Sequence, residues 1–180
     1  PPIPSNAFWL DLSNNNFAGS INHALCGRGK NPNMLRILNL GDNYLSGRVH
    51  NCWKHWQSLK ILKLDHNNLM GMITRAIGHL PILQSLHLRH NNLSGELPQS
   101  LQHCTNLVII DLGENEFIGS IPTWIGNSFS ELIVLILCSN KFQGDIPCKL
   151  CRLCSLSGPV PRCFNNFSAM AKKQNSSGMC

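Results

Sequence analysis

Six times along the chain the pattern Leu-x-Leu-x-x-Asn-x-Leu/Phe-x-Gly returns at nearly constant spacing, and no other feature restricts the fold as tightly. The first copy comprises Leu10, Leu12, Asn15, Phe17 and Gly19, and the second Leu38, Leu40, Asn43, Leu45 and Gly47. Leu62 and Leu64 lead to Asn67, Leu69 and Gly71; Leu86 and Leu88 to Asn91, Leu93 and Gly95. Ile110 and Leu112 precede Asn115, Phe117 and Gly119, and Leu135 and Leu137 precede Asn140, Phe142 and Gly144. Successive glycines stand 28, 24, 24, 24 and 25 residues apart. A period of that length builds a solenoid, in which no unit buries its own core and stability comes from the neighbours.

Each motif position has a physical task. The alternation Leu-x-Leu turns two leucines inward on a short strand and leaves the residue between them on the open face. The asparagine follows where the strand bends into the core, and its amide is suited to satisfy backbone groups that the bend buries. The later Leu or Phe fills the wedge between coils, and the glycine allows a turn that a Cβ would obstruct. Period and motif together resemble leucine-rich repeats. The fold class this implies is a leucine-rich-repeat solenoid of the α/β class: a right-handed superhelix with one parallel β-sheet on the concave face and short helical or 3-10 segments on the convex side.

The stretches Gly95-Glu96-Leu97-Pro98, Gly119-Ser120-Ile121-Pro122 and Gly144-Asp145-Ile146-Pro147 look like the plant extracellular subtype. Asn51-Cys52-Trp53-Lys54-His55-Trp56, Leu86-His87-Leu88-Arg89-His90-Asn91, Leu101-Gln102-His103-Cys104-Thr105-Asn106-Leu107 and Ile121-Pro122-Thr123-Trp124-Ile125-Gly126 narrow the likeness. They resemble receptor-like proteins of plant immunity, especially the fungal-xylanase receptor and apple scab-resistance groups. That resemblance implies a receptor ectodomain on the extracellular face of the plasma membrane, acting in defence signalling with a co-receptor kinase in the intact protein. In that family further segments follow a stretch like Pro161-Arg162-Cys163-Phe164, so the chain reads as an interior fragment whose membrane anchor lies elsewhere.

The chain departs from the pattern in three places. Gly144 is followed by Gly158, a step of 14 residues, so the segment that should supply another Leu-x-Leu-x-x-Asn is missing. Residues 1–147 therefore read as six repeats, 148–163 as a truncated seventh, and 164–180 as an irregular basic tail. Asn22, His50 and Thr74 replace the motif's proline in the first three repeats, which should alter rigidity more than topology. Cys138 occupies a strand position where the family usually has a charged residue.

Charge argues against nucleic acid as a partner. The net charge of +6 is concentrated at one end, since residues 141–180 hold six Lys/Arg against one Asp. A duplex binder needs a basic stripe on its docking face. No stretch reaches the ~20 apolar residues of a membrane span.

Nine cysteines point to an oxidising compartment, as do the glycosylation triplets at Asn92, Asn166 and Asn175. Cys26 and Cys52 lie seven and five residues after Gly19 and Gly47, and Cys151 and Cys163 repeat those offsets after Gly144 and Gly158. Two equivalent disulfides, Cys26–Cys52 and Cys151–Cys163, are expected. Cys148, Cys151 and Cys154 lack the fourth ligand and paired Cys-x2-Cys of a zinc site, so no metal and no cofactor is expected. Cys104 reads as a buried thiol, and Trp53, Trp56 and Trp124 as packing residues of the convex side.

A ligand site follows from the outward strand positions. Trp9, Ile37, Ile61, Ser85, Ile109 and Val134 form an apolar column, with Asp11, Asn39, Lys63, His87, Asp111 and Ile136 beside it. Further columns hold Ser13, Gly41, Asp65, Arg89, Gly113 and Cys138, then Asn14, Asp42, His66, His90, Glu114 and Ser139. Lys63, His66, His87, Arg89 and His90 make repeats three and four basic on this reading, with Asp42 before them and Asp111 and Glu114 after. Six strands at ~4.8 Å span roughly 24 Å, room for a protein loop, a peptide or several sugar units. The face is expected to bind a microbial or endogenous protein, peptide or glycan.

A second reading is a soluble inhibitor of microbial cell-wall-degrading enzymes resembling polygalacturonase inhibitors, which use the same repeat and face. Catalysis is not expected, because no nucleophile–base constellation or phosphate loop is present and Asp111 with Glu114 has no enclosing cleft.

Overall fold

The Leu-x-Leu pairs form the short strands that their alternation predicts. β1 (Trp9–Asp11), β3 (Ile37–Asn39), β5 (Ile61–Lys63), β7 (Ser85–His87), β9 (Ile109–Asp111) and β11 (Val134–Ile136) lie side by side as one parallel sheet in chain order. The register aligns Leu10, Leu38, Leu62, Leu86, Ile110 and Leu135 in one inward row. These coordinates are a computed structural model, and the structure describes residues 6–26, 34–49, 51–147 and Leu150. Apart from Leu150, the truncated seventh repeat from Cys148 lies outside the described residues, as do the tail, His50, Cys151, Cys154, Cys163, Asn166 and Asn175.

A second parallel sheet extends the single-sheet expectation. β2 (Ala18–Ser20), β4 (Tyr44–Arg48), β6 (Asn68–Gly71), β8 (Asn92–Gly95) and β10 (Glu116–Phe117) pair successively on the flank of the coils. The later Leu or Phe of the motif points inward on β4, β6, β8 and β10, where Leu69 and Phe117 have no exposure, whereas Phe17, just before β2, is 43% exposed. Sequence alternation around Leu69 and Leu93 is too short to separate a second strand from a turn.

The conserved-looking bend asparagines bind coil to coil. Asn67 Nδ2 donates to the Leu64 and Asp65 carbonyls of its own coil and to Leu40 of the preceding one, while its Oδ1 accepts the Leu45 N–H. Asn43, Asn91, Asn115 and Asn140 repeat the arrangement. Buried carbonyls and amides at the bend are thereby satisfied, as the motif requires.

The turn glycines all adopt φ between +80° and +86°, the left-handed conformation that glycine takes without a Cβ clash. Crowding adds to this at some of them only. A Cβ on Gly95 would meet Met72 Cγ at 2.6 Å and one on Gly71 would meet Arg48 Cγ at 3.0 Å, whereas Gly19 faces open space. Each of these side chains follows the glycine of one coil and leans over the glycine of the next.

Short helical segments complete the coils: α1 (Asn22–Cys26), α2 (Ile125–Ser128) and 3-10 turns at Trp53–His55, Arg75–His79 and Gln99–His103. Asn22 opens α1 and donates to Arg48 O, and Thr74 holds φ −73°, ψ 152°, so the missing prolines leave the topology unchanged. No helix among the described residues is long and apolar enough to cross a membrane. Trp56 is 1% exposed and donates from Nε1 to Leu25 O, Trp53 is buried, and Trp124 meets Phe129 edge-on at 5.8 Å. Cys26 and Cys52 form a disulfide with Cα atoms 5.4 Å apart, joining the first two coils. Cys104 is fully buried, its Sγ–H directed at Ile77 O.

Candidate ligand-binding face

Strand geometry sets the candidate site. With the leucines turned inward, the residues between and around them stand on the outer face of the six-stranded sheet, which no described element covers. Trp9, at 66% exposure, begins the apolar column, and Ile37, Ile61, Ile109 and Val134 continue it half-buried. Beside them stand Asp11, Asn39, Lys63, His87 and Asp111, in straight register across strands.

Ser85 is a correction. It is 7% exposed, because Ile61 and Ile109 flank it on both sides and its Oγ is bonded to His87 Nε2 at 2.7 Å. It therefore supports His87 from beneath rather than offering itself to a ligand. Burial, and secondarily the Lys63 ammonium, push His87 below the ordinary histidine value, so it stands neutral at pH 7.

The basic centre is also corrected. Arg89 forms an ion pair with Glu114 Oε1, and His90 Nδ1 lies 2.8 Å from Glu114 Oε2. These two partners, His90 first, hold the Glu114 carboxyl below its usual value, and the same contact raises Arg89. His66 Nδ1 sits 3.3 Å from Asp65 Oδ2 and 3.8 Å from Asp42 Oδ1, with its ring stacked on His90 at 5.1 Å. Neither Lys63 nor His87 makes an ion pair with a described residue. Against Lys63 and Arg89 the face sets Asp11, Asp42, Asp65, Asp111 and Glu114, so the flanking acids pair with the basic strands directly instead of only bordering them.

The carboxylates are already engaged. Asp11 accepts from the Ser13 hydroxyl and backbone N–H and from Asn39 Nδ2, which together lower it below the usual aspartate value. Asp111 accepts from Gly113 N–H, while Glu114 serves Arg89 and His90, so the two act separately. Asp42, Asp65 and His66 bring one ligand atom each within 4.8 Å, yet these atoms are also the members of the His66 ion pairs.

The column from Asn14 to Ser139 reads from the sequence as part of the open face, but its left-handed backbone and the groove beside it do not. Asn14, Asp42, His66, His90, Glu114 and Ser139 all have φ between 51° and 58°. The first five carry the ladder on three residues past their strands, as when His66 N–H donates to Arg89 O and His90 N–H to Gly113 O. The side chain is thrown outward and the next residue, the motif asparagine, drops inward. Between this column and Tyr44, Asn68, Asn92 and Glu116 of the second sheet runs a polar groove of about 810 Å³. Asn14 and Asp42, residue types that tolerate left-handed backbone, were the available signal.

Comparisons with known proteins follow this geometry. Leucine-rich-repeat family models match residues 7–27, 32–93 and 57–117, together more than half of the chain. No curated protein sequence matches. Among solved structures, the ectodomain of the Arabidopsis thaliana receptor kinase GASSHO1/SCHENGEN3, in complex with CASPARIAN STRIP INTEGRITY FACTOR 2, is 34% identical with a TM-score of 0.75 over 84% of this chain. The Arabidopsis receptor kinase HAESA ectodomain, in complex with an IDA peptide hormone, is 33% identical with a TM-score of 0.76 over 86%. The BIR3–SERK2 complex, also from Arabidopsis thaliana, matches at 31% identity and a TM-score of 0.63 over 70% of this chain and 66% of its own. The chain spans only 18% of the first of these structures and 26% of the second.

Proposed function

The chain belongs to the leucine-rich-repeat proteins, and from that starting point we propose that it is the peptide-binding part of a plant cell-surface receptor's ectodomain. The observation that carries this reading is the uncovered sheet, where an apolar column from Trp9 to Val134 runs beside the polar column containing Asn39, Lys63, His87 and Asp111. An extended peptide laid across the strands buries alternate apolar side chains on the first column and offers backbone groups to the second. Ile37, Ile61, Ile109 and Val134 suit apolar side chains better than sugar rings, which favour aromatic platforms; Trp9 is the one aromatic in that column.

The HAESA structure, in complex with an IDA peptide hormone, supports a peptide as the ligand class. The defence role, with a microbial or endogenous peptide on the extracellular face of the plasma membrane, rests on the sequence likeness to immune receptor-like proteins. A co-receptor kinase completes the signalling complex in this reading.

The test is a binding screen of the purified chain against synthetic secreted plant and microbial peptides, read by calorimetry. Lys63→Glu and Ile109→Arg on the open face are expected to weaken an active peptide by about tenfold each, about 1.4 kcal/mol. Arg75→Glu, on the 3-10 turn away from that sheet, should leave affinity unchanged. Binding that survives both face variants and fails with Arg75→Glu overturns the assignment.

A further inference from the structure

The outer surface of the second sheet exposes Met70 at 48%, Met72 at 65% and Ile118 at 46%, an apolar patch with no described element over it. β8 runs through it. Alternation sends Leu93 into the core and leaves Asn92 and Ser94 on the outside. Register sets Asn92 beside Met70 on one neighbouring strand and Ser94 beside Glu116 on the other. Met72 leans over Gly95 at the end of the same strand, and Ile118 N–H donates to Gly95 O.

Asn92-Leu93-Ser94 is an acceptor triplet for N-linked glycosylation. Its geometry separates it from the asparagine beside it. Asn91 is 8% exposed, with Oδ1 taking the Leu69 N–H and Nδ2 donating to Leu64 and Leu88 carbonyls. Asn92 is exposed, and its amide is engaged by no other described residue. Asn68 holds the equivalent place one coil earlier but is followed by Leu69 and Met70, so it is no acceptor. Among the described residues Asn92 heads the sole acceptor triplet.

We infer that Asn92 carries an N-linked glycan that lies over Met70, Met72 and Ile118 and closes the second sheet to partners. In bond terms, Asn92 Nδ2 loses a proton and joins the anomeric carbon of an oligosaccharide, displacing a lipid-linked pyrophosphate as leaving group. A bulky hydrated group removes the cost of an exposed apolar patch on a secreted surface. It also stands on the far wall of the polar groove from Lys63 and His87, so a ligand reaches those residues from the other side. The inference rests on the extracellular reading of the chain.

The experiment is secretion of the full chain from plant cells, glycopeptide mapping by mass spectrometry, and peroxide oxidation of the folded product. A glycan is expected at Asn92, lost in Asn92→Gln and Ser94→Ala and retained in Ser94→Thr. Met70 and Met72 should oxidise several-fold faster after the glycan is trimmed enzymatically from the folded chain, a comparison needing no substitution. Met34, 46% exposed elsewhere, should not change. Occupied Asn166 or Asn175 with bare Asn92 overturns the inference and leaves the extracellular reading standing. Bare asparagine at all three overturns both, and an occupied Asn92 with unchanged Met70 and Met72 oxidation overturns the covering role.

Discussion

Replacing Asn91 with alanine isolates the bond network that joins coils. Its Oδ1 is the acceptor for the Leu69 N–H at 2.9 Å, in a residue with no exposure. Without it that amide is buried and unpaired, which costs about 1–3 kcal/mol. The Leu64 and Leu88 carbonyls lose a donor each but keep Asn67 Nδ2 and Asn115 Nδ2 respectively, so their loss adds about 1 kcal/mol together. The expected total is about 3 kcal/mol, a fall in melting temperature of about 6–12 °C for a chain of this size. Asn15 is the internal control, being the same motif residue with its described side-chain bonds confined to its own coil. Its Nδ2 donates only to Leu12 and Ser13 of its own coil, on an exposed surface. Asn15→Ala should cost less than about 1 kcal/mol. Thermal melts followed by circular dichroism, with hydrogen exchange at the Leu69 amide, make the comparison. Equal losses at Asn15 and Asn91, or unchanged Leu69 exchange in Asn91→Ala, refute the inter-coil role.

Other outcomes follow from the same coordinates. Glu114 is held below its ordinary value of 4.5 by His90 and Arg89, so its contribution to stability is complete above that pH and is lost as pH falls through the depressed value; urea titrations should show a shallower acid limb in Glu114→Gln. The Cys104 thiol is pushed up to about 11 by burial and should resist a thiol reagent at pH 8 until the chain unfolds. Breaking Cys26–Cys52 by double alanine substitution should cost about 2–4 kcal/mol in chemical denaturation, given the chain loop it closes. An unchanged midpoint there means the first two coils are held by packing alone.

Inward positions were legible in the sequence because one chemistry repeats at one spacing. Leu38, Leu62, Leu86 and Asn67 could be assigned to the core and the bend before any coordinates, since burial and backbone satisfaction leave little choice of residue. Cys26 and Cys52 were paired because their offsets from the turn glycines of adjacent coils recur at Cys151 and Cys163. What escaped depends on cross-strand neighbours. Ser85 reads as an outward serine until Ile61 and Ile109 are seen to enclose it. Arg89, His90 and His66 read as a basic cluster flanked by acids, and that Glu114, 25 and 24 residues ahead of the first two, pairs directly with both shows only once it is placed one strand away. A column lists residues along one line, whereas charge is set by distance across lines. The second sheet and its groove escaped because strands of two to five residues carry almost no periodic signal.

The leaning of Arg48, Met72 and Glu96 over the next coil's glycine has a consequence for how such a chain diversifies. The covering residue changes from a cation to a thioether to an anion, and the register of the second sheet does not change with it. Adjoining coils thus meet through a socket that asks for reach and not for a matching partner. A coil copied or recombined from elsewhere seats against its new neighbours provided that it brings its own glycine, asparagine and leucines. Recognition surfaces can then be rewritten a whole strand at a time, without renegotiating the core beneath.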